Sequence, residues 1–476
     1  MILESQEKSR ILPYVAKKLS NGKNLVTGYF GGWVFLDAEE LIYLKANQFY
    51  DKSKLYEKLA NAGIILNENN IDGIIAMYRN LNRNLFRKPS LHMINVTNVC
   101  NQRCTYCHAG VSQGKDFMSE ETALKIVKFI FKSSGHPIAI EFQGGECLLN
   151  WKVVKLVVEK SREINKVLKR DLRICIVSNL SLLNGEKLKF LADSDVSICT
   201  SIDGSKDMHN TYRKFLSGSD TFDRVFEKVQ FIREYYKKHG LNKKVDALAT
   251  ITRQALKDPK SIIDTYINLG INILHLRRVD NFGDALNNWQ ELTYSAEEFF
   301  DFWKKAMEYI VELNKKGIDI KERGAYNILS KILNFTDPLY VELMTPTGMG
   351  RTTLLYNFDG DVYNSDEGRM INEPIFKIGT VDQEPKDVLL SQDNINIWAS
   401  SFIDLTAYNS AFRPWGGIHP VQVYQDQGNI IPNLPNSASY KIYSMQCEYL
   451  FEKIAESGYE KELFMKWAEK DIYSVN

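Results

Sequence analysis

The second half of this chain is almost without cysteine. Of seven cysteines in 476 residues, only Cys447 lies beyond Cys199. An odd number, unevenly spread, argues against a disulfide framework. Net charge is missing too: 60 basic residues stand against 59 acidic ones. That balance gives no electrostatic reason to expect nucleic acid or an anionic membrane as partner. No apolar run approaches the roughly 18 residues of a membrane span. The opening stretch, MILESQEKSR, is polar and charged and lacks the apolar core of a signal peptide. The expectation is a cytoplasmic protein with no membrane and no nucleic-acid partner. There is no internal repeat and no low-complexity linker. What remains is ordinary for a globular protein, with 44% apolar and 25% charged residues. At about 150 residues per domain, the length suggests about three domains.

Residues 1–90 read as an N-terminal module. In NLVTGYFGGWVFLD, two short β-type runs, Leu25–Phe30 and Trp33–Leu36, flank Gly31-Gly32, a hairpin signal. Asp37 with Glu40 three residues on has the form of a capping box, and three helical patterns follow. From residue 91 to about 280 the pattern alternates. Strands are expected in LHMINVT, IAIEFQ, LRICIVS, VSICTSI, VDALATIT and INILHLR, with five helical connections between them. Ser119 suits the cap of the first helix. This is α/β architecture with a parallel sheet, an open sheet or a full or partial barrel, and ligands gather at the carboxyl ends of its strands. Residues 295–335 read as helical and complete a unit over 91–335. The remainder, 336–476, is more irregular, with Asp359-Gly360 as another hairpin signal and a last helical segment over about 438–470.

Three of the seven cysteines, Cys100, Cys104 and Cys107, stand together in NVCNQRCTYCHAG, directly after the first strand. They therefore occupy the first strand-to-helix loop. Unrelated buried thiols are one reading. Zinc with a distant fourth ligand is another, although His108 is too close to Cys107 for the usual spacing. A 4Fe–4S cluster fits a set of three better. Thiolates suit each iron, and three of them leave one iron open for something that is not protein.

C-x3-C-x2-C at the end of a first strand, with Tyr106 before the last cysteine, resembles the radical S-adenosylmethionine (SAM) enzymes. The resemblance implies a partial (β/α)6 barrel, a 4Fe–4S cluster on Cys100, Cys104 and Cys107, and SAM chelated to the open iron. It also implies reductive cleavage of SAM to a 5′-deoxyadenosyl radical that abstracts hydrogen from an unactivated C–H bond. EFQGGECLLN is similar to the family's G-G-E-P stretch, which binds the SAM amino group. Gly144 and Gly145 allow close backbone approach, and Glu146 can accept from an ammonium. Cys147 stands where the family has proline. It reads either as a tolerated small residue or as a catalytic thiol able to donate a hydrogen atom. Ser178 and Asn179, ending the third strand, can bond a ribose. Ser201, Asp203 and Arg213 in SIDGSKDMHNTYR resemble the S-x-D-G…H-x-x-x-R segment of peptide-modifying members. There the serine and arginine contact the SAM carboxylate, a strong orienting fork. Arg277, ending the sixth strand, is expected to face the same space.

Longer stretches resemble the radical SAM maturases of His-Xaa-Ser peptide systems, among them LVTGYFGGWVFLDAEEL, FRKPSLHMINVTNVCNQRCTYCHA and YNFDGDVYNSDEGRM. That resemblance implies a ribosomally made precursor peptide as substrate. It also implies a winged-helix-like N-terminal module that pairs the leader with its sheet edge, and ferredoxin or flavodoxin as electron donor. A merely structural module is the other reading of residues 1–90. Such maturases carry a cysteine-rich SPASM region with auxiliary clusters. Here the matching positions are Thr347, Ser365, Ala407, Ser410, Gly416, His419 and Tyr440. A SPASM-like region without its clusters is therefore expected, leaving one cluster for all redox steps. Redox-neutral epimerisation gains ground against net two-electron cross-linking. A different protein substrate and a decayed peptide-binding protein remain as alternatives.

Overall fold

The alternating pattern of residues 91–280 folds into a parallel sheet flanked by helices. The computed structural model describes residues 9–110, 112, 114–335, 337–403 and 409–469, so Ala407 lies outside the described residues. Before the sheet stand three antiparallel strands, β1 (Tyr14–Lys18), β2 (Asn24–Gly28) and β3 (Trp33–Leu36), and three helices, α1 (Ala38–Lys45), α2 (Ser53–Asn61) and α3 (Ile71–Leu81). The β2–β3 hairpin is the one the two glycines announce; β1 is an addition. Asp37 and Glu40 make the full capping box of α1. Gly32 is required here, because a Cβ would sit 1.9 Å from the Ala62 carbonyl oxygen at the end of α2. The module has its own core of Val26, Leu36, Leu44, Phe49, Leu55 and neighbours.

The parallel sheet runs through β4 (Leu91–Asn95), β5 (Ile138–Gln143), β6 (Leu172–Val177), β7 (Val196–Ser201), β8 (Val245–Ile251) and β9 (Leu276–Arg278). The intervening helices are α4 (Glu120–Ser133), α5 (Trp151–Leu168), α6 (Gly185–Asp193), α7 (Phe222–Lys238) and α8 (Pro259–Asn268). Period-two alternation sorts each strand. In β5, Ile138, Ile140 and Phe142 are buried in the main core, while Ala139, Glu141 and Gln143 take the other face. The helices answer with one apolar stripe each; α5 buries Val153, Val154, Val157 and Val158. Ser119 caps α4 by accepting the Thr122 N–H.

Beyond these lie α9 (Ala296–Lys315) and α10 (Arg323–Asn334), then β10 (Thr353–Tyr356), β11 (Asp361–Tyr363), α11 (Asp366–Ile371) and β12 (Lys377–Thr380). The helices α12 (Pro420–Gln427), α13 (Ala438–Ala455) and α14 (Tyr459–Glu469) follow. The sheet does not stop at six strands. Its order is β9-β8-β7-β6-β5-β4-β10-β11-β12, with β10 parallel to β4 and the last pairs antiparallel. Asp359-Gly360 does turn the β10–β11 hairpin.

Three expectations are corrected. The run INILHLR changes partner at His275: Ile273–Leu274 pairs with Lys321–Glu322, and only β9 pairs with β8. The 295–335 helix is broken by that same short strand, and Glu322 caps α10 by accepting the Gly324 and Ala325 N–H groups. The 438–470 segment is two helices, parted at Gly458 with φ +142. The N-terminal module is tied to this region: Trp33 Nε1 donates to the Ile332 carbonyl at 3.0 Å and its ring meets Phe451 edge-on. Among the described residues no helix is long and apolar enough to cross a membrane.

Candidate active site

The carboxyl ends of β4 to β9 carry the loops with the reactive side chains. Cys100, Cys104 and Cys107 follow β4. The segment Gln102–Cys104 pairs antiparallel with Arg213–Phe215, which sets Arg213 opposite Cys104. N–H groups turn onto the sulfurs. The Gln102 backbone N–H lies 3.4 Å and the Asn179 amide 3.9 Å from Cys100 Sγ, and Arg213 Nη1 lies 3.7 Å from Cys104 Sγ. Burial pushes the Cys100 and Cys107 thiols up to about 12, and their neighbouring cysteines push the same way. A thiol held so high keeps its proton until a metal replaces it. Among the described residues no three His, Cys, Asp or Glu side chains converge tightly enough for one metal ion. A polynuclear cluster, with one thiolate on each of three irons, does not require that convergence. Three thiols in one loop fit a cluster that offers one iron to each.

Behind the loop stands Asp203, 2% exposed. It accepts from Arg213 Nε at 2.8 Å, from the Thr250 N–H at 3.1 Å and from the Tyr106 hydroxyl. The Arg213 guanidinium lies 5.2 Å from the Tyr106 ring centroid. Every charge here has an opposite partner at contact distance. His209 backs Asp203 and Thr221, and burial pushes its imidazole down to about 4.

Several residues expected to meet a ligand are engaged within the protein instead. The Glu146 carboxylate, 1% exposed, accepts from the Leu148 N–H, Ser178 Oγ and the Asn179 N–H, at 2.9, 2.8 and 2.8 Å. Ser178 thus gives its hydroxyl proton to this carboxylate. Asn179 gives its amide to Asn101 as well as to Cys100. Gly144, with φ +111, and Gly145 approach the chain itself: a Cβ on Gly145 would lie 2.2 Å from the Val99 carbonyl oxygen. Their want of a side chain lets this loop lie against the cysteine loop. Cys147 is fully buried in the main core, and its thiol points at the Val177 carbonyl oxygen, 3.4 Å away. This geometry suits the reading of Cys147 as a tolerated small core residue. Ser201 ends β7 beside Leu248 of β8.

Arg277 is not part of this cluster either. It faces a neighbouring cavity, where it pairs with Glu342 at 3.0 Å, Asp280 at 3.4 Å and Glu367 at 3.7 Å. Two groups of residues escaped the sequence reading. Arg369 of α11, 7% exposed, pairs with Asp366 and reaches the Asn98 side chain at 3.4 Å and the Ala109 carbonyl at 3.2 Å. It holds both ends of the cysteine loop from the far side of the chain. The turn at 282–288 covers the same loop: the Asp284 N–H donates to the Cys107 carbonyl at 2.8 Å, and a Cβ on Gly283 would meet the His108 carbonyl oxygen at 2.5 Å. No local motif marks either.

Residues 94–265 match the model of the Radical SAM superfamily. The serine-type anaerobic sulfatase-maturating enzyme of Bacteroides thetaiotaomicron is 30% identical over 166 residues, 33% of this chain and 38% of that protein. The chain thus spans well under half of that relative's length in the match. Native anSMEcpe with bound AdoMet and a Kp18Cys peptide superposes with a TM-score of 0.63 at 20% identity, covering 80% of this chain and 99% of that one. Streptococcus suis SuiB bound to its precursor peptide SuiA gives 0.50 at 15% identity, covering 82% and 90%. At these identities the two structures speak for a shared fold.

Proposed function

From the premise that residues 94–265 are a radical SAM domain, of a superfamily that uses a 4Fe–4S cluster and SAM, we propose that this enzyme modifies a ribosomally made precursor peptide. The observation that carries the reading is the set of three thiols at the carboxyl end of the sheet, with N–H groups directed at two of the sulfurs. When bound, the cluster and SAM supply a 5′-deoxyadenosyl radical, which takes a hydrogen atom from a substrate residue.

The chain's own groups prepare that site. Cys100, Cys104 and Cys107 hold three irons and leave one for SAM. Arg213, fixed by Asp203, keeps a cation beside Cys104 and offers its remaining N–H groups to the SAM carboxylate. Asn179 and the Gly144–Gly145 backbone stand beside the cysteine loop, and Ser201, at the end of β7, would reach SAM from the next strand. Tyr106, within the loop, gives its hydroxyl proton to Asp203. Glu146 and Ser178 act as positioning residues for the Asn179 backbone. The turn at 282–288 holds the Cys107 backbone through the Asp284 N–H. The leader pairs with the outer strand of the β1–β2–β3 sheet, since strand addition is a physically cheap way to bind an extended peptide. Ferredoxin or flavodoxin delivers the electron in the cytoplasm. The fold likeness to peptide-bound structures supports the peptide. The sulfatase-maturating relatives favour a different protein substrate as the second reading.

The test is anaerobic reconstitution followed by iron analysis and 5′-deoxyadenosine release on reduction. About four irons per chain and SAM cleavage are expected; iron-free protein after reconstitution refutes the reading. Mass spectrometry of a cognate peptide treated in heavy water then names the chemistry. One deuterium gained per site means epimerisation, and loss of two mass units means cross-linking.

A further inference from the structure

In the short ribbon of Gln102–Cys104 and Arg213–Phe215, Arg213 stands directly opposite Cys104. Opposed residues of an antiparallel pair put their side chains on one face. The buried guanidinium is therefore divided between two partners. Its Nε donates to Asp203 at 2.8 Å, and its Nη1 turns to Cys104 Sγ at 3.7 Å. One cation spans a carboxylate and a sulfur. The next residue, Lys214, takes the other face of the ribbon and pairs with Asp220.

Asp203 is the counter-charge, and its surroundings blunt it. The Thr250 N–H donates to Oδ1 at 3.1 Å. The Tyr106 hydroxyl donates to Oδ2, the same oxygen that accepts from Arg213 Nε. These two neutral donors draw the carboxylate's charge away from the sulfur side. Cys100 is served differently: its sulfur meets neutral donors, the Gln102 N–H at 3.4 Å and the Asn179 amide at 3.9 Å. Among the described residues, Cys104 alone of the three thiols has a charged donor.

Reduction adds one electron to the cluster and moves no proton, so the cluster with its three thiolates becomes one unit more negative. A fixed cation beside a ligand sulfur favours that form. Hydrogen bonds to the sulfurs, net charge and burial are the means by which a protein sets a cluster's potential. Burial also limits how far solvent screens the charge. We propose that Arg213, clamped by Asp203 and Tyr106, acts through Cys104 to raise the reduction potential of the cluster and so eases entry of the electron. The proposal rests on the cluster reading above and deepens it by naming the residue that sets the potential. Nη2 is left for the SAM carboxylate, so the two duties do not compete for one nitrogen.

The experiment is a redox titration of the reconstituted full chain without SAM, using dithionite and mediators, followed by electron paramagnetic resonance. Arg213→Gln is expected to shift the reduction equilibrium at least about tenfold toward the oxidised cluster, or about 59 mV for one electron. Arg213→Lys, which keeps the charge, should recover part of that shift. Tyr106→Phe leaves Asp203 to oppose Arg213 more strongly and should shift the equilibrium the same way, by about threefold. Lys214→Gln removes the same charge one residue along and should leave the potential where it was. Equal shifts for Arg213→Gln and Lys214→Gln overturn the proposal, as does an unmoved potential in Arg213→Gln; a merely structural role would change the melting temperature and not the potential. If Arg213→Gln takes up no iron, unmoved potentials in Arg213→Lys and Tyr106→Phe overturn it. One measurement needs no variant: with isotopically labelled arginine, hyperfine spectroscopy of the reduced protein should show one guanidinium nitrogen coupled to the cluster, and its absence overturns the assignment. Iron-free protein after reconstitution would refute the cluster reading itself, whereas a cluster indifferent to these substitutions refutes only the role of Arg213.

Discussion

Two polar clusters lie on either side of the turn at 282–288, and they are built on opposite terms. Around the cysteine loop, Asp203 meets Arg213, Tyr106 and a backbone N–H, so this ion pair is closed on itself. In the cavity beyond the turn, three carboxylates share one arginine nitrogen. The first is one ion pair embedded in hydrogen-bond donors; the second is a crowd of carboxylates held by Arg277, Arg278 and His419.

That contrast is open to attack, most drastically at the thiols. Cys104→Ala should leave reconstituted protein with little iron and no SAM cleavage, an all-or-none loss read by iron analysis and 5′-deoxyadenosine assay. Asp203→Asn strands a buried guanidinium and should cost about 3–5 kcal/mol in denaturant unfolding. Next comes acid. His209 titrates at about 4 in the folded chain because burial holds it down, against 6.5 ordinarily. Between those values the unfolded chain takes up a proton that the folded one refuses. Stability should therefore fall as pH drops from about 6.5 to 4, by about 3 kcal/mol in all, and His209→Gln should flatten that slope. Arg369→Gln should speed hydrogen exchange of residues 105–110 about tenfold while leaving β6 and β7 unchanged. The smallest effect belongs to the second cluster. Glu367→Gln keeps a hydrogen-bonding end but loses the charge that meets Arg277 and His419, and should cost about 1 kcal/mol of unfolding free energy. A loss as large as that of Asp203→Asn would erase the distinction between the clusters.

The parallel strands β4 to β8 were legible because period-two alternation and intervening amphipathic helices are local properties. The cysteine loop was legible for the same reason, since C-x3-C-x2-C needs only eight residues. What escaped is nonlocal. β10 carries no sign in TLLY that it will lie along β4, and Arg369 no sign that it will hold Asn98, 271 positions away. INILHLR reads as one strand because nothing in it shows that Lys321–Glu322 will claim its first half. Glu146 and Cys147 show a subtler limit. Residue type announces what a side chain can do, but only the packing around it decides which partner takes it. Here the Asn179 N–H and the Val177 carbonyl came first.

The pairing of β10 with β4 has a consequence for how the chain is made. During synthesis β4 emerges early, and β5 covers one of its edges soon after. Its other edge waits for residues some 262 positions downstream, the separation of Asn95 from Asn357. Until then the strand that leads into the cysteine loop is an open edge, and open edges recruit other chains. Arg369, which holds that loop, arrives later still. The cysteine loop therefore has its full support only once residue 369 has been made, and a chain stopped before residue 353 leaves one edge of β4 open.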